Sequence, residues 1–140
     1  SSPRAWRRRR SRGSPPRAWG QHETMRPGGI SRLYKAIERV RALNPDFAIS
    51  QLSLFLYVAQ HEGITLHEVS EALHIPQGTV SRNTKQLGRY IVTRDDGTKE
   101  VRGYGLLRTE PDMEERRRLA VYLTKDGEQL VKDLEMILCG

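Results

Sequence analysis

Residues 65–87 read TLHEVSEALHIPQGTVSRNTKQL. Thr65 and Glu68 stand at the spacing of a capping box, in which each satisfies a free backbone N–H at the start of a helix. Leu66, Val69 and Leu73 then fall on one face of a short helix. His74-Ile75-Pro76 breaks it, because the residue before a proline avoids the helical region. A second helix is expected from about Gln77 to Tyr90. Two short helices joined by three or four residues make a helix-turn-helix candidate.

The second helix carries the functional signal. Wound at about 100° per residue, it puts Val80, Thr84, Leu87 and Ile91 on one side as a core stripe. Gly78, Thr79, Arg82, Lys85, Gln86 and Arg89 fall toward the other. The segment 76–94 contains no Asp or Glu. A helix that enters the major groove needs such a face, since an acid near phosphates is repelled. Arg pairs bidentately with guanine and Gln with adenine. Gly78 allows close backbone approach. A solvated basic face on an ordinary helix is the plainer explanation, and the neighbouring elements outweigh it.

Those neighbours lie downstream. YIVTR-DDG-TKEVR (90–102) is a hairpin pattern with an Asp-Gly turn between β-prone runs. GLLR (105–108), the polar tip TEPDMEERR (109–117) and LAVYL (119–123) read as a two-stranded wing. Arg116 and Arg117 project from that tip, where Arg enters the negative minor groove. An adjacent acid can orient a guanidinium by a bidentate pair. Thr124 caps a last helix, about 125–138, with Leu130, Val131, Leu134, Ile137 and Leu138 on one stripe. Upstream, Ile30, Leu33, Tyr34, Ile37 and Val40 mark an amphipathic helix over about 30–43, ending at Asn44-Pro45. QLSLFLYVAQH (51–61) is apolar nearly all round and is expected to be the buried central helix, capped by Ser50 and ended by Gly63.

At 140 residues the chain holds one ordinary domain. The expected architecture is mainly α with a small β-wing (α+β), a winged helix-turn-helix over residues 25–140. The formal charge of +7 suggests a polyanionic partner. It is unevenly placed: residues 1–24 hold seven Arg and one acid, whereas residues 25–140 hold 17 basic and 16 acidic side chains. The near-repeat SPRAW (2–6) and SPPRAWG (14–20) has a composition that does not pack, so residues 1–24 read as a disordered basic tail. Three readings of it compete: a phosphate-gripping arm with Trp6 and Trp19 stacking on bases, a solvated tail, or upstream sequence read in frame with Met25 as the native start.

One cysteine, Cys139, excludes a disulfide framework and a Cys-rich zinc module. No apolar run reaches the roughly 20 residues of a membrane span, and the Arg-rich start lacks the apolar segment of a secretory signal. A cytoplasmic setting follows.

Together, TLHEVSEALHIPQGTVSRNTKQL and GLLRTEPDMEERRRLAVYLTKDGEQLV resemble the winged-helix MarR family of transcriptional regulators. The matches are Val80-Ser81-Arg82, Leu87, Gly105-Leu106-Leu107-Arg108, Asp112, Arg116-Arg117, Val121, and Leu123-Thr124 with Gly127. They span roughly residues 50–131. The resemblance implies a cytoplasmic homodimer on double-stranded DNA, with the recognition helix in the major groove and a wing Arg in the minor groove. It also implies release by a small-molecule effector or by cysteine oxidation in many members. Gln77, Thr79, Ser81, Arg82 and Lys85 take the groove and phosphate roles, and Arg116 or Arg117 the wing role.

Three departures stand out. Glu115 replaces the family Asp before the paired Arg, which orients Arg116 less tightly. About 14 residues around 91–104 are extra, and they either lengthen the recognition helix or form an additional hairpin. Their charges sum to zero, which argues against a simple phosphate clamp. The dimerisation helices are short, so dimerisation rests on 30–43 with 128–138. Compact, inserted members of this kind resemble phage or prophage relatives.

Other candidate sites are weaker. His67 and His74, with Glu68 and Glu71, are too loosely spaced for a metal site. Cys139 has no neighbour that would activate it. Gly103-Tyr-Gly105 lacks the strand and helix of a phosphate loop. Tyr34, Phe55 and Tyr57 suit the core better than a ligand pocket. No cofactor, metal site or catalytic constellation is expected, so the chain does not read as an enzyme. The reading is a dimeric transcriptional regulator, in the repressor sense, that binds specific double-stranded DNA. The alternative is a protein-interaction adaptor or anti-repressor of the same fold.

Overall fold

The computed structural model describes residues 28–139, so the readings of residues 1–24 lie outside the described residues. Nine elements follow in order: α1 (Gly29–Arg41), α2 (Ile49–Gln60), α3 (Leu66–Leu73), α4 (Gln77–Leu87), β1 (Tyr90–Thr93), β2 (Lys99–Arg102), β3 (Leu107–Pro111), β4 (Leu119–Leu123) and α5 (Lys125–Cys139). The mainly α fold with small β hairpins matches the expected winged helix-turn-helix.

Burial of apolar side chains decides where each element sits. Leu54, Phe55 and Val58 of α2 are fully buried and form the centre of the core. Val69 of α3, Val80 and Leu87 of α4, Leu106, Leu107 and Val121 of the wing, and Leu130 and Leu134 of α5 close around them. α2 starts earlier than expected. Its N-cap is Ala48, without a side-chain cap, and Ser50 lies inside the first turn. Burial of the apolar run substitutes for the missing cap.

α1 and α5 pack together within the chain. Arg39 donates from Nε and Nη2 to Asp133 Oδ2, at 3.1 and 2.9 Å. Gln129 also donates to Asp133. The amide and the guanidinium together hold the Asp133 carboxyl below the usual carboxylate range.

Thr65 serves two elements. Its hydroxyl accepts from Glu68 N, and the Glu68 carboxylate accepts from Thr65 N, so the capping box is complete. Thr65 also forms an isolated antiparallel bridge with Ala120 of β4. Beside it Gly63 N donates to Val121 O and Val121 N to Ile64 O. The start of α3 is thereby fixed to the wing. The turn to α4 is closed by Ser70, whose hydroxyl donates to Ile75 O and whose carbonyl accepts from Ile75 N. His74 takes the left-handed conformation there, with φ 56°.

α4 ends at Leu87, three residues before the expected Tyr90. Gly88 stops it, and the chain turns into an antiparallel β1–β2 hairpin that pairs Tyr90 with Arg102 and Thr93 with Lys99. The extra residues therefore make the hairpin of the two expected alternatives. The chain then returns to its point of departure. Tyr104 N donates to Gln86 O, Gly105 N to Gly88 O and Leu106 N to Leu87 O, at 3.0, 2.9 and 2.7 Å. The wing follows as antiparallel β3–β4, pairing Leu107 with Leu123 and Pro111 with Leu119.

Two glycines make this seam possible. A Cβ on Gly103 would lie 2.1 Å from Gly88 O, and Gly103 also has φ +106°. A Cβ on Gly127, in the first turn of α5, would lie 2.1 Å from Leu106 O. Thr124 completes the contact: its hydroxyl donates to Gly105 O and accepts from Gly127 N. The Leu-Thr-x-x-Gly pattern is thus the mechanical joint between wing and last helix.

Gly103→Ala and Gly127→Ala are expected to destabilise the fold by about 2–3 kcal/mol each, because backbone must move to admit the methyl group. Gly78→Ala, in open space on α4, should leave stability unchanged or raise it by up to about 1 kcal/mol. Urea unfolding midpoints check all three.

Candidate nucleic-acid interface

The sequence-predicted face is real over residues 77–87. Gln77, Gly78, Ser81, Arg82 and Lys85 are exposed on α4, Thr79 is half-buried, and Val80, Thr84 and Leu87 are buried on the opposite side. Arg82 Nη2 reaches Thr79 Oγ1 at 3.4 Å. Lys85 Nζ lies 5.2 Å from the Tyr90 ring centroid, a cation–π contact that steadies its position. α4 contains no acidic side chain, and it presents its N-terminus through the tight turn from α3.

Three expected placements are corrected. Arg89 follows the end of α4 and so leaves the helical face. Its guanidinium lies against Gly105, and Arg89 Nη2 is 3.9 Å from Asp126 Oδ2 of α5. Ile91 belongs to β1 and is 63% exposed, instead of extending the core stripe. Gln86 is exposed, but its side-chain oxygen accepts from Gln51 of α2, which ties it back to the body.

The wing tip is a compact turn. Asp112 N donates to Arg118 O, Arg118 N to Glu115 O, and Glu115 N to Asp112 Oδ2. Glu115 orients Arg117, which donates from Nε at 3.2 Å, and does not pair with Arg116. Both Arg116 and Arg117 are exposed, Arg117 at 89% of its side chain.

Between α4 and the wing lies a cleft of about 210 Å³, lined by Ser81, Thr84, Lys85, Arg89 and Arg108 among others. Arg108 was overlooked as a functional candidate, although it closes the Gly-Leu-Leu-Arg motif. It stacks 4.7 Å over the Tyr122 ring and pairs with Glu110 at 2.7 Å. Its sequence signal was that motif.

The β1–β2 hairpin is internally neutralised. Glu100 accepts from both Arg94 and Arg102, and those two guanidinia hold its carboxyl below the usual carboxylate range. Asp96 accepts from Thr98 N and Oγ1 at the turn. On the other face, Ile91 and Val101 are cross-strand partners and both are exposed.

Among the described residues, no three His, Cys, Asp or Glu side chains form a group able to hold a metal. His67 pairs with Glu71, and His74 forms the turn to α4. Phe55 is core, Tyr57 stacks on His61, and Tyr34 is exposed. No described helix is long and apolar enough to cross a membrane.

No protein-family model matches the chain, and no curated protein matches it. Solved structures do. A MarR transcriptional regulator from Methanosarcina mazei Go1 is 23% identical, with a TM-score of 0.54, over 77% of this chain and 70% of that one. An S. aureus MepR–DNA complex is 23% identical, with a TM-score of 0.56, over 77% of both chains. A mutant MarR from E. coli complexed with operator DNA is 17% identical, with a TM-score of 0.52, over 77% of this chain and 69% of that one. The chain thus has the winged-helix fold of the MarR transcriptional regulators.

The doubly paired Glu100 gives a pH prediction. A carboxyl whose value is lowered by folding stabilises the native state above its unfolded value, and that contribution is lost as pH falls through the lowered one. Amide protection factors at Val92 and Val101 should fall on acidification in the wild type, and should be lower but flatter with pH in Glu100→Gln.

Proposed function

We propose that the protein is a DNA-binding transcriptional regulator of repressor type, acting as a homodimer on specific double-stranded sites. The observation that carries this reading is the exposed, acid-free face of α4, with Gln77, Thr79, Ser81, Arg82 and Lys85 directed away from the core. α4 enters the major groove, Gly78 allowing close approach, and Arg116 or Arg117 of the wing reaches the minor groove. Two of the solved structures with this fold are complexes with DNA, which favours the same use here. Gln86 and Arg89 are secondary in this scheme, since each is engaged elsewhere on the protein.

Homodimerisation is supported by the apolar side chains that α1 and α5 leave exposed: Ile30, Leu33 and Tyr34 on one, Met136 and Leu138 on the other. Contiguous exposed apolar surface of this sort marks an interface. A groove of about 240 Å³ between α1, α2 and α5, lined by Leu33, Ile37, Leu52, Leu56, Val131 and Leu138, is where a small apolar effector would fit.

The exposed Ile91–Val101 pair favours a second reading, a protein-interaction adaptor or anti-repressor. The two readings separate on one measurement. Residues 25–140 that ignore duplex DNA at low salt support the adaptor.

For the regulator, Arg82→Ala is expected to weaken binding by about 1–3 kcal/mol and to relax sequence preference. Equal weakening on all sequences would make Arg82 a phosphate contact. The slope of log K against log salt should be about −0.9 per neutralised phosphate. Removing residues 1–24 should shallow that slope and leave specific recognition standing. Loss of specific binding on that deletion would show that the tail carries recognition.

A further inference from the structure

We propose that His67 is a positioning residue that fixes which edge of the Gln77 side-chain amide faces outward, and so sets one base preference of the recognition helix. This rests on the DNA-binding reading above. Gln77 is the first residue of α4 and is exposed. Its Nε2 lies 2.6 Å from His67 Nδ1, on the preceding helix α3. His67 Nε2 in turn lies 2.6 Å from Glu71 Oε1, one turn further along α3. Glu71, His67 and Gln77 therefore form a chain of hydrogen bonds that runs from α3 onto the tip of α4.

The chemistry of this chain has a direction. A carboxylate only accepts, so Glu71 holds the ring proton on Nε2. In the neutral ring Nδ1 is then a lone pair, and it must receive an N–H. The Gln77 amide can satisfy it only with its NH2 end, because the carbonyl oxygen would face the lone pair. An unrestrained glutamine presents either end equally well. Here one N–H is committed to His67, and the carbonyl oxygen and the second N–H are left for the DNA. That donor–acceptor pair is complementary to the N7 acceptor and the N6 amino donor of adenine. The relay thus removes the alternative amide orientation and selects against bases that would require it. It also removes rotamer freedom from a long side chain before binding, which strengthens the contact.

The test is selection of bound duplexes from a randomised pool by the full chain, with base preference read position by position. The wild type is expected to prefer adenine at one position of each half-site, by roughly fivefold or more. Gln77→Ala and His67→Ala should each flatten that same position and no other, with unfolding midpoints close to the wild type. The double variant should lose nothing further, because both act through one contact. His67→Gln, whose side-chain carbonyl can accept the same N–H, should recover part of the preference. Persistence of the adenine preference in His67→Ala overturns the inference alone. A general loss across all positions assigns His67 a merely structural role and also overturns it. A wild-type chain with no sequence preference overturns the DNA-binding reading, and this inference falls with it.

Discussion

The structure depends on a backbone seam at the end of α4. Three carbonyls at that end, those of Gln86, Leu87 and Gly88, accept from Tyr104, Leu106 and Gly105. Helix C-termini leave carbonyls without internal partners, and here the returning chain supplies them. The same short stretch then passes its own carbonyls on, Gly105 O to Thr124 and Leu106 O to the backbone of Thr124. α4, the wing and α5 thereby share one junction. The close approach excludes a side chain at Gly103 and Gly127. Orientation of α4 relative to the wing is set at this point, by main-chain contact.

Electrostatic placement follows from the same geometry. Outside α4, most basic groups near the interface have an acid beside them. Arg94 and Arg102 share Glu100, Arg108 has Glu110, Arg117 has Glu115, and Arg89 approaches Asp126. Exposed pairs like these contribute little stability, but they cancel charge and orient guanidinia. α4 has no such acid, so Arg82 and Lys85 keep their full fields. The basic character of a nearly neutral body is therefore concentrated on one helix face.

Much of this was legible in the sequence because it is local chemistry. The Thr65–Glu68 box, the His74-Ile75-Pro76 break, the Asp-Gly turn and the Thr124 cap each act within a few residues, and each forms as read. The face of α4 was legible from period alone as far as Leu87. What failed was long-range. Periodicity continued α4 to Tyr90, past Gly88, although glycine favours a helix end. The end is sealed by residues 104–106, whose N–H groups donate to the carbonyls of residues 86–88 and which come near only when the hairpin folds. Arg89 was misplaced for that reason, Gln86 because Gln51 of α2, distant in sequence, holds its side chain, and Ser50 because burial of the α2 apolar run outweighed capping. The Glu71–His67–Gln77 chain was invisible for a related cause: it needs the angle between two helices, which no spacing rule encodes.

The hairpin between α4 and the wing has a further consequence for how such a domain can change. Its strands leave and rejoin the body beside the same carbonyls, so the body does not register how long the excursion is. Closing a longer loop between fixed ends costs only logarithmically more in entropy. Gly88 and Gly103 act as the two jaws of a socket, and what is plugged between them is free to lengthen, shorten or acquire a new surface. The position is thus a natural port for grafted sequence, one that sits beside α4 without altering its register.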